Sequence, residues 1–148
     1  MTIFDHAEKE MKELQTKFMV RNDIPTVLIV EDDPDYSHFL AEWVKPLNWY
    51  AKFAHDGTKA LEIILANSID LVWLDLNLPG MDGVMFLANL IKATAVPPPV
   101  IVVTGINVLE TTRLQLKQHG ILFISSKPEN ENDLHELLKL TNPKTKRK

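Results

Sequence analysis

Four short apolar runs constrain this chain most strongly, because a polar residue follows the end of each one. The runs are Val27–Val30, Leu71–Leu74, Val100–Val103 and Ile121–Ile124. Runs of this length, rich in Val and Ile and separated by helix-length segments, are typical of buried strands in a parallel sheet. The carboxyl ends of the strands in such a sheet border a ligand crevice. We therefore expect acids, a hydroxyl and an amine to meet at one dry edge of the sheet.

Composition narrows the class of protein. A chain of 148 residues that is 45% hydrophobic can bury one sizeable core, so one domain is expected. The absence of cysteine excludes disulfides, thiol nucleophiles and Cys-ligated zinc. No apolar run approaches the ~20 residues that span a bilayer, and the net charge of −4 is too mild to indicate a nucleic-acid partner. The five histidines have no metal-ligand spacing. A soluble, cytoplasmic protein without membrane contact is the expectation.

The order of elements predicts five strand–helix units. The predicted strands are Thr26–Val30, Tyr50–Ala54, Ile69–Leu74, Val100–Val103 and Ile121–Ile124. The predicted helices run from Pro34 to near Pro46, through Ala60–Leu65, from Val84 to about Thr94, from about Val108 to Gln118, and from about Glu131 to Leu140. Phe86, Leu87, Leu90 and Ile91 are expected to face inward. Five such units with short loops predict an open, doubly wound α/β sheet with right-handed crossovers.

The two ends of the chain differ from this body. Residues 1–25 are interpreted as an amphipathic helix with a linker, residues 26–140 as the domain, and residues 141–148 as a solvated basic tail. The apolar stripe of the helix is Phe4, Ala7, Met11, Leu14 and Phe18. A helix of this length is marginal alone, so we expect it to pack on its own domain or to pair with a second chain. The alternative is that the terminus is frayed and packs on nothing. The alternation of three- and four-residue steps between the apolar residues favours a homodimer.

Three acids are candidates for a metal site. Glu31 and Asp32 follow the first run, and Asp75 follows the run of strand three. Converging carboxylates repel one another unless a cation joins them, and hard oxygen ligands suit Mg²⁺ or Mn²⁺. Capping of the next helix is the alternative role, which Asp33 before Pro34 fits best. Asp75 follows four apolar residues, where a carboxylate needs a partner. A metal would supply that partner and leave an oxygen free to attack phosphorus, giving an acyl phosphate.

An amine and a hydroxyl complete the expected constellation. Lys127 follows strand five and can bind phosphoryl oxygens as a compact charge, or act simply as a counter-ion to the acids. Thr104 ends strand four. Its hydroxyl can donate to a phosphoryl oxygen, although a β-branched residue in a strand needs no such role. The joint pattern is more specific than any single member.

The chain resembles the receiver domain of bacterial two-component response regulators over residues 26 to about 140. The matching segments are Val27–Asp33, Leu74–Gly83, Val103–Gly105 and Ser126–Pro128. The resemblance implies a flavodoxin-like, five-stranded parallel sheet of order 2-1-3-4-5 with helices on both faces. It also implies that a histidine kinase or a histidine phosphotransfer protein supplies a phosphoryl group.

The resemblance assigns a role to each site residue. Asp75 would be the phosphoacceptor, and Thr104 and Lys127 would bind the phosphoryl oxygens. Asp32, Asp75 and the backbone carbonyl of Asn77 would ligate Mg²⁺ directly, with Glu31 acting mostly through water. The chain would then be a single-domain phosphoacceptor rather than an enzyme acting on other molecules, with output through a downstream protein target or onward phosphotransfer.

One departure from the family pattern leaves an alternative open. The family usually has Tyr or Phe three residues before the lysine, as a rotameric partner of the threonine, and here that position is Ile124. An unphosphorylated pseudo-receiver that serves as a docking module is therefore the second hypothesis. A metal-dependent phosphatase with an aspartyl nucleophile is disfavoured, because Asn77 stands where such enzymes need a second Asp as general acid. No recognition helix for DNA is visible.

Overall fold

A computed structural model of the protein describes residues 24–105 and 107–141, together with Ala7 and Lys9. Strands and helices alternate along the described chain. The strands are β1 (Thr26–Val30), β2 (Tyr50–Ala54), β3 (Leu71–Leu74), β4 (Val100–Thr104) and β5 (Ile124–Ser126). The helices are α1 (Pro34–Val44), α2 (Gly57–Ala66), α3 (Gly83–Ala93), α4 (Glu110–Gln118) and α5 (Glu131–Thr141), and a 3₁₀ turn (Lys45–Leu47) follows α1.

The five strands form one parallel sheet of order β2-β1-β3-β4-β5. This confirms the expected flavodoxin-like order. The register places Val30 beside both Ala54 and Leu74, and Leu74 beside Val102. The carboxyl ends of β1 and β3 are therefore direct neighbours at the centre of the sheet, and whatever follows Val30 and Leu74 must meet there.

Each face of the sheet carries its own core, because successive strand residues point to opposite sides. We call the side covered by α2, α3 and α4 the first face, and the side covered by α1 and α5 the second face. The first-face core includes Leu28, Leu74, Ala60, Phe86 and Leu116. The second-face core includes Ile29, Trp73, Leu40, Val44 and Leu134. With helices on both faces, the central strands have no solvent side, which explains why their sequences are apolar without alternation.

Side chains and glycines set the ends of several helices. Asp33 caps α1 by accepting hydrogen bonds from the backbone N–H groups of Asp35 and Tyr36, which confirms its expected capping role. Asp56 and Asp82 cap α2 and α3 in the same way. Gly120 lies just beyond α4 with a φ of +81°, a left-handed conformation that suits glycine.

Two expected element assignments are corrected. The apolar run Ile121–Ile124 was expected to form strand five, but β5 comprises Ile124–Ser126. This edge strand pairs with β4 alone, so its serines can face outward. Strand three was expected from Ile69 and begins at Leu71. The Asp70 carboxylate accepts the backbone N–H of Thr26 at 2.8 Å and so takes the place of a ladder bond there.

One core residue is also corrected. Ile91 was expected to face inward with Phe86, Leu87 and Leu90, but it is 46% exposed whereas the other three are buried. Successive helix residues are rotated by about 100°. Ile91 therefore lies at the edge of the arc that those three residues define.

The two ends of the chain fall largely outside the described residues. The helix expected before residue 25 is described only at Ala7 and Lys9, which are helical and exposed. The basic tail beyond residue 141 is likewise outside. Among the described helices, none is long and apolar enough to cross a membrane.

Candidate functional site

Two carboxylates stand at the ends of the central strands because the sheet ladder continues for one residue beyond each strand. The Glu31 N–H donates to Ala54 O at 3.0 Å, and the Asp75 N–H donates to Val30 O at 3.1 Å. These bonds fix the backbone of both acids. Glu31 is 1% exposed and Asp75 is 3% exposed. The fold thus holds two buried acids side by side, as the four-run pattern predicts.

Asp32 joins them to form a group of three acids. Carboxylate oxygens of Glu31, Asp32 and Asp75 all lie within 4.8 Å of one another. Unlike the other two, Asp32 is exposed. The expectation of a dry edge is therefore wrong on this side, where solvent reaches the group. An ion or a phosphodonor can enter from that side.

Lys127 brings a positive charge to the two buried acids. Its Nζ lies 2.9 Å from Glu31 Oε2 and 3.3 Å from Asp75 Oδ2. The first contact is an ion pair without the geometry of a hydrogen bond, so the buried Glu31 Oε2 has no hydrogen-bond partner. The other Glu31 oxygen accepts the Asp33 N–H at 3.2 Å. Glu31 Oε2 is therefore held mainly by charge attraction to Lys127.

The electrostatics of the site follow from burial and crowding. Burial raises the pKa of the Glu31 carboxyl, and the Asp75 charge adds to this, against the opposing effect of Lys127. Burial lowers the pKa of the Lys127 amine, but the combined attraction of Glu31 and Asp75 outweighs burial and raises that pKa overall. Lys127 therefore stays protonated in the described site, and its single positive charge does not balance the negative charge of the acid group.

Thr104 and Asn77 take up flanking positions. Thr104 is buried at the end of β4, and its carbonyl accepts the backbone N–H of Lys127 at 3.2 Å. This bond ties the lysine to the end of the neighbouring strand. The Asn77 N–H donates to Asp75 Oδ1 at 3.2 Å, while the Asn77 residue itself is exposed. One Asp75 oxygen thus has a backbone donor, and the other faces Lys127.

The position of Ile124 leaves space beside the site. Ile124 packs on the first-face core and the adjacent Phe123 on the second, so these two side chains point to opposite faces of the sheet. An open cavity of about 510 Å³ extends from Thr104 and Lys127 past Ile124 to Arg113. The aliphatic Ile124 lines this cavity at the position where the family usually has an aromatic residue.

Tyr36 is a site residue that the sequence analysis missed. Its ring lies in the first turn of α1, with its centroid 4.8 Å from Lys127 Nζ. Its hydroxyl donates to Pro128 O at 2.8 Å. An aromatic residue in an amphipathic helix usually signals only core packing, so the pattern carried no signal for this contact. Only the folded arrangement brings α1 beside the end of β5.

Comparison with known proteins agrees with this geometry. The sequence model of the response regulator receiver domain family matches residues 27–139. The chain belongs to this family. Receiver domains are the phosphoacceptor modules of response regulators, and the resemblance inferred from the four sequence segments is confirmed.

The curated relatives are longer proteins that match this chain over part of their length. The sensor histidine kinase RcsC of Salmonella typhi is 33% identical over 117 residues, which cover 79% of this chain and 12% of that protein. The positive alginate biosynthesis regulatory protein of Pseudomonas aeruginosa is 36% identical over 116 residues, covering 76% of this chain and 45% of that protein. The chain thus spans less than half the length of either relative.

A solved structure shows the same fold. The signal receiver domain of a putative LuxO repressor protein from Vibrio parahaemolyticus superposes on this structure with a TM-score of 0.73 at 27% identity. The superposition covers 83% of this chain and 93% of that one. The receiver fold therefore accounts for nearly all the described residues.

Proposed function

We propose that Asp75 is the phosphoacceptor of this receiver domain, and that a histidine kinase or a histidine phosphotransfer protein is the donor. The observation that carries the proposal is the position of the Asp75 carboxylate. It is buried at the sheet edge, with a backbone N–H on one oxygen and the Lys127 amine 3.3 Å from the other. A carboxylate oriented in this way can attack phosphorus directly.

The transfer step is a displacement at phosphorus. An Asp75 oxygen forms the new O–P bond while the P–N bond of the phosphohistidine breaks, and the imidazole leaves with the electron pair and is then protonated. Lys127 and Thr104 would stabilise the negative charge on the phosphoryl oxygens. Pre-positioned donors of this kind supply much of the stabilisation in phosphoryl transfer.

The donor set of the acid group fits a divalent cation. Three carboxylates within 4.8 Å of one another and a buried Glu31 oxygen without a hydrogen-bond partner provide hard oxygen ligands. We propose that Asp32, Asp75 and the Asn77 carbonyl would hold Mg²⁺ or Mn²⁺ directly, with Glu31 acting mostly through water. When bound, the ion neutralises acid charge and the charge of the incoming phosphoryl group.

The surface of α1 supports a protein donor. Phe39 is 55% exposed and stacks on Trp43, with ring centroids 6.0 Å apart. Helix α1 begins two residues after Asp32, and Phe39 lies about one and a half turns along this helix. We propose that a phosphohistidine protein docks here. The chain would act on no other molecule as an enzyme and would catalyse only its own phosphorylation and dephosphorylation.

A small phosphodonor tests the acceptor separately from docking. Incubation with acetyl phosphate and Mg²⁺ should add one phosphate to the intact mass, and excess chelator or the Asp75→Asn substitution should abolish the addition. Phe39→Ala should keep the reaction with acetyl phosphate but slow transfer from a phosphorylated phosphotransfer protein. An equal yield from the Asp75→Asn variant would refute the assignment. No addition to the wild type would favour the pseudo-receiver that Ile124 suggests.

A further inference from the structure

Tyr36 makes two polar contacts with one short segment, Lys127–Pro128. Its hydroxyl donates to the carbonyl of Pro128 at 2.8 Å, across 92 positions of sequence. The face of its ring meets the Lys127 ammonium, with 4.8 Å between Nζ and the ring centroid. That distance lies within the range of cation–π attraction, about 6 Å. One side chain of α1 therefore contacts both the backbone and the charged end of this segment.

Packing alone does not require these contacts. The ring also lies against the second-face core, where a leucine or phenylalanine would bury comparable apolar area. Neither of those residues would supply a donor for the Pro128 carbonyl, and a leucine would offer no π face to the lysine. The polar contacts therefore indicate a role beyond filling the second face.

Lys127 needs such support because its amine has competing partners. Nζ is nearer to Glu31 Oε2 at 2.9 Å than to Asp75 Oδ2 at 3.3 Å. A lysine with a flexible four-carbon stem can turn wholly toward one acid. A neutral ring face attracts the ammonium without adding a third negative charge, so it can help to hold Nζ beside both acids.

We propose that Tyr36 is a positioning residue for Lys127, its ring holding the ammonium over the acid pair and its hydroxyl fixing the lysine's backbone through Pro128. This inference rests on the proposed function of Asp75. The phenol remains a donor throughout the working range, because burial, together with the charges of Glu31 and Asp75, raises its pKa.

Two substitutions separate the ring from the hydroxyl. In Tyr36→Phe the ring stays and the donor to Pro128 is lost, whereas Tyr36→Leu removes both and keeps an apolar side chain. We expect the rate of phosphorylation by acetyl phosphate at saturating Mg²⁺ to fall about 3- to 10-fold in the leucine variant. The phenylalanine variant should lie between it and the wild type. Tyr50→Leu is the matched control, since Tyr50 is exposed on the edge strand β2.

The order of the rates decides the proposal. A Tyr36→Leu rate equal to the wild-type rate would overturn it, and equal losses in the phenylalanine and leucine variants would contradict the role of the ring. Combination with Lys127→Met supplies a test that a purely structural role would not meet. If Tyr36 acts through the lysine, Tyr36→Leu should cause no further loss of rate in the Lys127→Met background.

Thermal denaturation of the wild type, Tyr36→Leu, Lys127→Met and the double variant tests the contact independently of phosphorylation. The two melting-temperature shifts should be non-additive if the ring and the ammonium attract each other, and strict additivity would overturn the contact. A wild type that takes up no phosphate would refute the proposed function. The four melting temperatures would still test whether Tyr36 and Lys127 interact. The two failures are therefore distinguishable.

Discussion

Replacing Glu31 with glutamine should stabilise the metal-free protein, because it removes one of two crowded, buried negative charges. Carboxylate oxygens of Glu31 and Asp75 lie within 4.8 Å of each other. At that separation two like charges repel by about 1 kcal/mol at the permittivity of water, and by about 3.5 kcal/mol at an effective permittivity near 20. The attraction between Glu31 and the Lys127 amine, at 2.9 Å, is larger than this repulsion at either permittivity, so the sign of the net effect depends on the cost of burying the Glu31 charge.

The direction of the net effect follows from the pKa of Glu31. Burial and the Asp75 charge raise that pKa in the folded state even with Lys127 present, so the charged carboxylate opposes folding. We expect Glu31→Gln to raise the free energy of unfolding by about 0.5–2 kcal/mol, the range usual for a single stabilising substitution, or the melting temperature by about 2–6 °C.

The same argument fixes the pH dependence. A carboxyl whose pKa is raised in the folded state binds its proton more tightly there than in the unfolded chain. Its contribution to stability is complete below the ordinary value of 4.5 and is lost as the pH rises through the raised folded pKa. The advantage of Glu31→Gln should therefore be absent below pH 4.5 and should grow as the pH rises through the raised folded pKa.

Urea denaturation in excess chelator, at acidic and at neutral pH, measures this difference. Asp33→Asn is the matched control, since it removes a charge two positions away while asparagine preserves the cap of α1. The control should change stability by less than about 0.5 kcal/mol. A Glu31→Gln protein that is less stable than the wild type at neutral pH without metal would refute the reasoning, because the ion pair with Lys127 would then dominate.

Three further substitutions address the metal, the start of α3 and the departure from the family pattern. Asp32→Asn should weaken Mg²⁺ binding at least tenfold by removing a proposed anionic ligand, as calorimetric titration would show; unchanged affinity would exclude Asp32 as a ligand. Gly83→Ala should destabilise the fold by about 1–3 kcal/mol, because its Cβ would lie 2.5 Å from Leu76 Cδ2 and 3.3 Å from Leu76 Cα; an unchanged melting temperature would show that this contact relaxes freely. Ile124→Tyr should leave the yield of phosphorylation intact and alter only the binding of a partner protein, measured by titration; a large loss of yield in a folded variant would contradict this.

Much of the fold could be predicted because its strongest signals are local. The bounds of β1 and β2 were predicted to the residue, since turn and cap residues follow each strand, Asp33 and Pro34 after β1 and Asp56 after β2. The sheet edge at Glu31 and Asp75 was predictable as well, because parallel strands bring their carboxyl ends together. The order of the strands came from family resemblance, since periodicity alone does not specify which strands are neighbours.

The features that sequence could not supply depend on tertiary context. β5 begins three residues after the start of its apolar run and ends two residues after it, because an edge strand needs no continuous apolar pattern. The exposure of Asp32 depends on which way the chain turns after Glu31. Tyr36 contacts Lys127 only because α1 and the end of β5 meet in the fold, and no spacing in the sequence encodes that approach.

Identification of the modified residue tests the central claim most directly. The protein should be phosphorylated with acetyl phosphate and Mg²⁺, reduced with borohydride to convert an aspartyl phosphate to homoserine, and digested for tandem mass spectrometry. The account predicts homoserine at position 75 alone, and no conversion in excess chelator. Conversion of Asp32 or Asp33 instead, or phosphate that survives on a histidine with position 75 unchanged, would contradict it.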